Sequence, residues 1–303
     1  MISALSGFVL IGAIVATGWA LRRWAGLPER TGPLVGRVVY LVLTPCLLFT
    51  GVAAADPAVL FTRPLLVSTA AAVTCFTIFA LAFRKREASA RILGALAGGY
   101  TNANYIGLPI ATYVLGDATL VVPIVMLQLL IITPLAMLLL EFATTGRATW
   151  RSVLRRPARN PLIIAVLLGA AVALTGLRLP AVVLDPITTL GQAAVPMVLL
   201  AFGMSLSGRW LLAPGPDRTP TIVAVTLKAA GMPVIAFGMA LAAGLSRDAT
   251  YAVTVLAALP TAQNIFLYAQ QFRTGIVLVR DAVFLSTVAC VPVMMVIAAL
   301  FAL

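Results

Sequence analysis

Four side-chain amides and one lysine stand where an otherwise apolar chain has no evident need of them. Asn102 and Asn104 precede a proline in Gly99-Tyr-Thr-Asn-Ala-Asn-Tyr-Ile-Gly-Leu-Pro109. Gln263 and Asn264 follow one in Ala257-Ala-Leu-Pro260-Thr-Ala-Gln-Asn-Ile-Phe-Leu-Tyr268. Amides donate and accept hydrogen bonds without carrying charge, so a cluster of them suits a polar solute inside a membrane or a bond between helices. Proline removes a backbone donor and clashes with the preceding turn, and glycine loosens the helix further. Gly107, Pro109 and Pro260 therefore mark two places where a helix is expected to break or cross. Tyr105 and Tyr268 flank the amides and join Asn102, Asn104, Gln263 and Asn264 as candidate substrate contacts.

The elements that hold these residues follow from composition. The 303 residues are 62% hydrophobic and 10% charged, with mean hydropathy +1.08. No soluble domain of that size covers so much apolar surface. Cutting at charges leaves ten apolar runs: 3–21, 38–55, 64–83, 92–116, 118–140, 160–177, 186–208, 219–246, 249–272 and 282–303. Each is about the 20 residues that cross a bilayer. The expected fold is an all-α membrane protein of ten transmembrane helices. The in–out alternation of membrane strands is absent. Residues 1–4 carry no charge and Arg22 and Arg23 follow the first run, the charge order expected of a span with its N-terminus outside, not of a signal peptide.

Lys and Arg number 17 in the odd-numbered inter-run loops and 3 in the even-numbered ones. This asymmetry places both termini outside the cytoplasm. It also assigns the net charge of +12 to membrane topology and not to nucleic-acid binding. Residues 144–159 form the one sizeable polar connector. They divide the chain into a first five-span repeat, 1–143, and a second, 160–303. Because five is odd, the second repeat enters from the opposite side, so the repeats are inverted. Pro109 and Pro260 are 151 positions apart, as are Pro45 and Pro196. With the fourth span running outward and the ninth inward, the amides before Pro109 and after Pro260 fall at one depth. The half-helices beyond the prolines would turn their N-termini to the midplane, which favours an anion there.

Lys228 is the one ionisable residue inside a run. Three roles stay open: a side chain that snorkels to the interface, a positive charge for a bound carboxylate, or a stand-in where other transporters hold a cation. Cys46, Cys75 and Cys290 lack metal-ligand spacing and read as small buried hydrophobes. With no His, neither a Ser-His pair nor a zinc hydrolase motif exists, and no pair of acids lies inside the runs, so an enzyme is not expected. The rival classes are a non-transporting assembly subunit, which does not need paired breaks lined with amides, and a channel, which unsaturable conduction would distinguish from a carrier.

These residues together resemble the auxin efflux carrier family, whose bacterial members export small carboxylates. Asn102…Gly107-Leu-Pro109 resembles the family's fourth-helix crossover, and Ala258-Leu-Pro260-Thr-Ala-Gln-Asn-Ile-Phe-Leu-Tyr-Ala-Gln-Gln-Phe272 its ninth-helix crossover. Arg159-Asn-Pro161, Ala201-Phe-Gly-Met-Ser-Leu206 and Leu227-Lys-Ala-Ala-Gly-Met-Pro233 add to the likeness. The resemblance covers nearly the whole chain, but the long central loop of the plant carriers is missing. It implies crossed fourth and ninth helices and a fold related to the bile-acid symporters. It also implies a scaffold of spans 1, 2, 6 and 7 and an elevator-like transport domain of spans 3–5 and 8–10. Asn102 takes the place of the family's substrate-contacting Asn. The expectation is a multi-pass carrier in the cytoplasmic membrane moving a small organic anion outward. Uptake or exchange of another small metabolite, such as an amino acid, is the alternative. The partners are the substrate and the bilayer, with a homodimer as an option. No cofactor, metal or nucleic acid is expected.

Overall fold

A computed structural model describes residues 2–28, 30–54, 62–107, 110–111, 114–117, 120–145, 161–177, 179–207 and 211–302. The described residues are helical, with one isolated antiparallel bridge between Thr101 and Thr261. Pro109 and most of the 144–159 connector lie outside them, as do the side chains of Asn104 and Tyr105.

In chain order the helices are α1 (Ile2–Trp24), α2 (Thr31–Ala53), α3 (Arg63–Ala82), α4 (Ala88–Gly99), α5 (Val122–Thr144), α6 (Pro161–Thr175), α7 (Ala181–Leu206), α8 (Arg218–Ala242), α9 (Arg247–Ala257), α10 (Asn264–Phe272) and α11 (Ile276–Ala302). Six of them, α2, α3, α5, α7, α8 and α11, are long and apolar enough to cross a membrane. Their outward faces carry large apolar side chains such as Leu81, Val182, Val234 and Leu300, as helices facing lipid must.

Pairwise packing sorts the helices into two sets. α1 lies on α7, and α2 packs on both α6 and α7. α3 packs on α4, α8 and α9, while α11 packs on α8, α4 and α10. The first set is built on backbone-close crossings. A Cβ on Gly203 would collide with the Val15 carbonyl, and one on Gly191 would lie 2.9 Å from the Leu47 amide nitrogen. Small residues at a crossing let helices approach where lipid offers no hydrophobic drive.

Prolines shape the longer helices. Each of α2, α5 and α8 contains a π-helical turn, Val39–Leu43, Gln128–Ile132 and Leu227–Gly231, that ends two residues before Pro45, Pro134 or Pro233. Thr44, Thr133 and Met232 then donate to the carbonyl five residues back. One extra residue per turn makes room for the proline ring and keeps the helix running. Pro196, 151 positions after Pro45, sits inside α7 with no such turn.

Candidate functional site

The run 92–116 breaks earlier than its proline suggests. α4 ends at Gly99, and Tyr100 to Asn102 leave the helix before a π-helical turn at Ala103–Gly107. The run 249–272 opens from Ala258 to Gln263, around Pro260. The two openings meet. Asn102 N–H donates to the Pro260 carbonyl (2.8 Å) and Ala262 N–H to that of Tyr100 (3.2 Å). Each stretch thus supplies the backbone partners the other lost on unwinding, as any chain inside a bilayer requires. This explains the displacement from Pro109: the Gly98-Gly99 helix end lies where the second segment can pair with it.

Side chains satisfy the groups left over. Thr261 Oγ1 donates to the Ala97 carbonyl at the end of α4 (2.6 Å), and Ser286 of α11 accepts from Thr261 N–H (3.0 Å). Gln128, in the π-helical turn of α5, donates to the Thr101 carbonyl (2.9 Å). Lys228 Nζ donates to the Ala257 carbonyl that ends α9 (2.6 Å) and contacts Met232 Sδ at 3.3 Å. A cation at a helix C-terminus meets the negative end of the dipole. Lys228 is fully buried and does not snorkel. Gly107 N–H bonds the Asn102 carbonyl (2.9 Å), and a Cβ there would lie 2.9 Å from Val121. This position accepts only a hydrogen without displacement of its neighbours.

Of the residues singled out from sequence, the structure brings together Asn102, Gln263, Asn264 and Tyr268. Asn102 Nδ2 donates to Gln263 Oε1 (2.6 Å), and both side chains are buried. Asn264 Nδ2 faces the hydroxyls of Tyr268 (3.2 Å) and Tyr100 (3.5 Å), and both tyrosines reach Thr133 Oγ1. Asn264 Oδ1 is buried without a hydrogen-bond partner. Asn104 and Tyr105 lie in the π-helical turn beside this cluster. Lys228 lies behind the bridge, one side chain away, since Thr101 Oγ1 approaches the same Met232 sulfur at 3.9 Å.

In front of the bridge is a cavity of about 30 Å³, room for about two waters. Tyr100 to Ala103, Ala262, Asn264 and Gln128 form one wall. Thr44, Leu47 and Leu48 of α2 with Ala194 and Val198 of α7 form the other. In the chain these last residues flank Pro45 and Pro196, and Ala262 on the opposite wall lies two positions after Pro260.

A family model described as membrane transport protein matches residues 6–298. The chain belongs to this family, that of the auxin efflux carriers. Among its relatives is a Rhizobium meliloti protein bearing the name "Putative malonate transporter". The two are 29% identical over 292 residues, covering 88% of this chain and 87% of the relative. An uncharacterized transporter of Methanothermobacter thermautotrophicus is 27% identical over 283 residues, covering 91% of each. A member of this family is a membrane transporter, and the unwound, amide-bearing bridge is the part of this one built least like a lipid-facing helix pair.

Tyr100, Thr44, Gln128 and Thr133 are site residues that sequence reasoning missed. Gln128 had a visible signal, as the one amide in the run 118–140. Thr44 and Thr133 had a weaker one: each immediately precedes a helix-interior proline.

Proposed function

We propose that this auxin efflux carrier family member is a secondary carrier that moves a small carboxylate outward across the cytoplasmic membrane by an elevator-type alternation. The observation that carries the reading is the pairing of two unwound segments around buried amides, against a wall from a separate helix set. In this reading the fourth and ninth spans cross at Thr101 and Thr261. Asn102, Gln263 and Asn264, with Asn104, Tyr105 and Tyr268 beside them, contact the substrate. Lys228 acts from behind the crossing. Amides and hydroxyls with one unpartnered amide oxygen suit a small polar solute, and the α10 N-terminus beside them favours a negative one.

The packing supports the proposed division. α1, α2, α6 and α7 form the scaffold, and α3–α5 with α8–α11 form the moving part. The inverted repeat and external termini rest on the five-plus-five division and the loop charges. The outward direction rests on the resemblance, and the carboxylate on the relative named for malonate together with the amide site. A cavity of about 30 Å³ is tight for a dicarboxylate, and in this reading the substrate enters when the two walls separate. Counterflow into proteoliposomes tests the function: labelled malonate, malate, pyruvate, amino acids and aromatic acids are each offered against an internal pool. Saturable exchange of at least one carboxylate is expected. Unsaturable conductance, or no flux of any acid, would refute the proposal.

A further inference from the structure

Three side chains of the Lys, Arg, Asp and Glu class are buried among the described residues: Lys228, Arg280 and Asp281. Arg280 and Asp281 cancel each other. Arg280 Nη2 lies 2.6 Å from Asp281 Oδ1, and the other carboxylate oxygen accepts from Leu212 N–H at 2.9 Å. Lys228 has no such counterpart. Its described surroundings are the Ala257 carbonyl, Met232 Sδ and the thiols of Cys75 on α3 and Cys290 on α11. No carboxylate faces it among the described residues.

The front cavity adds no charge of its own. Its lining is three amides, two threonines, Tyr100 and apolar groups. Thr101 belongs to that lining and shares the Met232 sulfur with Lys228, so one side chain separates the ammonium from the cavity wall. An uncompensated charge in a membrane interior is costly, and an opposite charge nearby relieves it. A carboxylate in the cavity supplies that opposite charge once. A second carboxylate would stand in the same dry space with nothing to balance it.

We propose that the site accepts substrates with a single negative charge, monocarboxylates or the hydrogen form of a dicarboxylate, and that Lys228 is the fixed charge they balance. The inference rests on the carboxylate reading above and narrows it. A dicarboxylic acid takes up its proton in solution before it binds, so no proton-transfer step in the protein is required. The loaded core is then neutral and the empty core carries the lysine charge. Exchange of one loaded form for another is therefore insensitive to membrane voltage, while net flux, which includes return of the empty form, is voltage-sensitive.

The test compares malonate with its monoamide, malonamate, which carries one charge across the pH range in which malonate loses its second proton. The parent protein in proteoliposomes should show a pH-independent apparent affinity for malonamate. For malonate it should weaken about tenfold per pH unit above that second ionisation. Lys228→Arg should keep the preference, and Lys228→Gln should lose it, accepting the uncharged diamide about as well as malonamate. The pH series needs only the parent, so it decides the matter even if Lys228→Gln does not fold. A malonate affinity that is flat across the range, or strongest where the dianion predominates, would overturn the proposal while leaving a carboxylate carrier in place. No saturable counterflow of either acid at any pH, nor of any other carboxylate in the panel above, would overturn the carboxylate reading as well.

Discussion

The Asn102–Gln263 pair allows fold and function to be separated in one experiment. The perturbation is Asn102→Leu, Gln263→Met and the double variant, each close to the native side chain in size. Either single change leaves a buried amide without its 2.6 Å partner. A buried polar group stranded in this way costs about 1–3 kcal/mol. Removing both partners strands neither, so the double variant should be more stable than the sum of the singles by about 1–2 kcal/mol, within the range seen for contacting residues. Melting of the purified protein followed by dispersity measures this coupling. Transport should behave differently. If the amides bond the substrate carboxylate, the double variant loses a charge-assisted hydrogen bond worth about 1.5–3 kcal/mol, roughly 10- to 150-fold in apparent affinity. Stability should therefore recover in the double variant while counterflow does not. Counterflow that recovers together with stability would refute the reasoning, because the pair would then hold the fold and leave the substrate alone. Additive melting shifts would show that the two amides are not coupled.

Other perturbations address the surroundings. Gln128→Leu removes the donor to the Thr101 carbonyl and should destabilise by about 1–3 kcal/mol, seen as a lower melting temperature and reduced counterflow; an unchanged protein would remove Gln128 from the site. Gly191→Ala sets a Cβ 2.9 Å from the Leu47 backbone and should cost about 1–3 kcal/mol by overpacking, whereas Gly12→Ala meets nothing within 4 Å and should melt as the parent does. Tyr268→Phe deletes a buried hydroxyl that bonds Asn264 and Thr133 and should both lower the melting temperature and weaken substrate affinity several-fold, about 1 kcal/mol for a neutral hydrogen bond; unchanged affinity would take Tyr268 out of the site.

Helix content and the apolar segments were legible because hydropathy and length decide them. Both unwound stretches were legible from glycine, proline and amides, but not their pairing. Thr101 and Thr261 are 160 residues apart, and hydrogen bonds between backbones leave no trace in side-chain pattern. The break before Pro109 was expected nearer the proline. The second unwound segment pairs with Tyr100 and Asn102, directly after the last residue of α4. The proline signal carried three outcomes that one sequence cannot separate: a π-helical turn that preserves the helix at Pro45, Pro134 and Pro233, an α-helix that continues through Pro196, and an opening at Pro260. Lys228 stood out as the one charge inside an apolar run. That it binds the end of α9 and does not reach the interface depends on the packing of α8 against α9. Gln128 and Thr133 act through a third helix, and their residue types alone do not tell a site from a helix contact.

The central claim is that substrate occupies the space between the crossing and the wall of α2 and α7. Protection from labelling tests it most directly. In a background free of native cysteines, Leu48→Cys and Ala194→Cys each place a thiol on that wall, and Lys85→Cys places one in the exposed turn after α3, outside the cavity lining. The account predicts that malonate, or whichever acid exchanges in the counterflow panel, slows modification at 48 and 194 with a half-maximal concentration equal to its transport KM, and leaves 85 unaffected. Equal modification rates with and without a transported acid at both wall positions would contradict it.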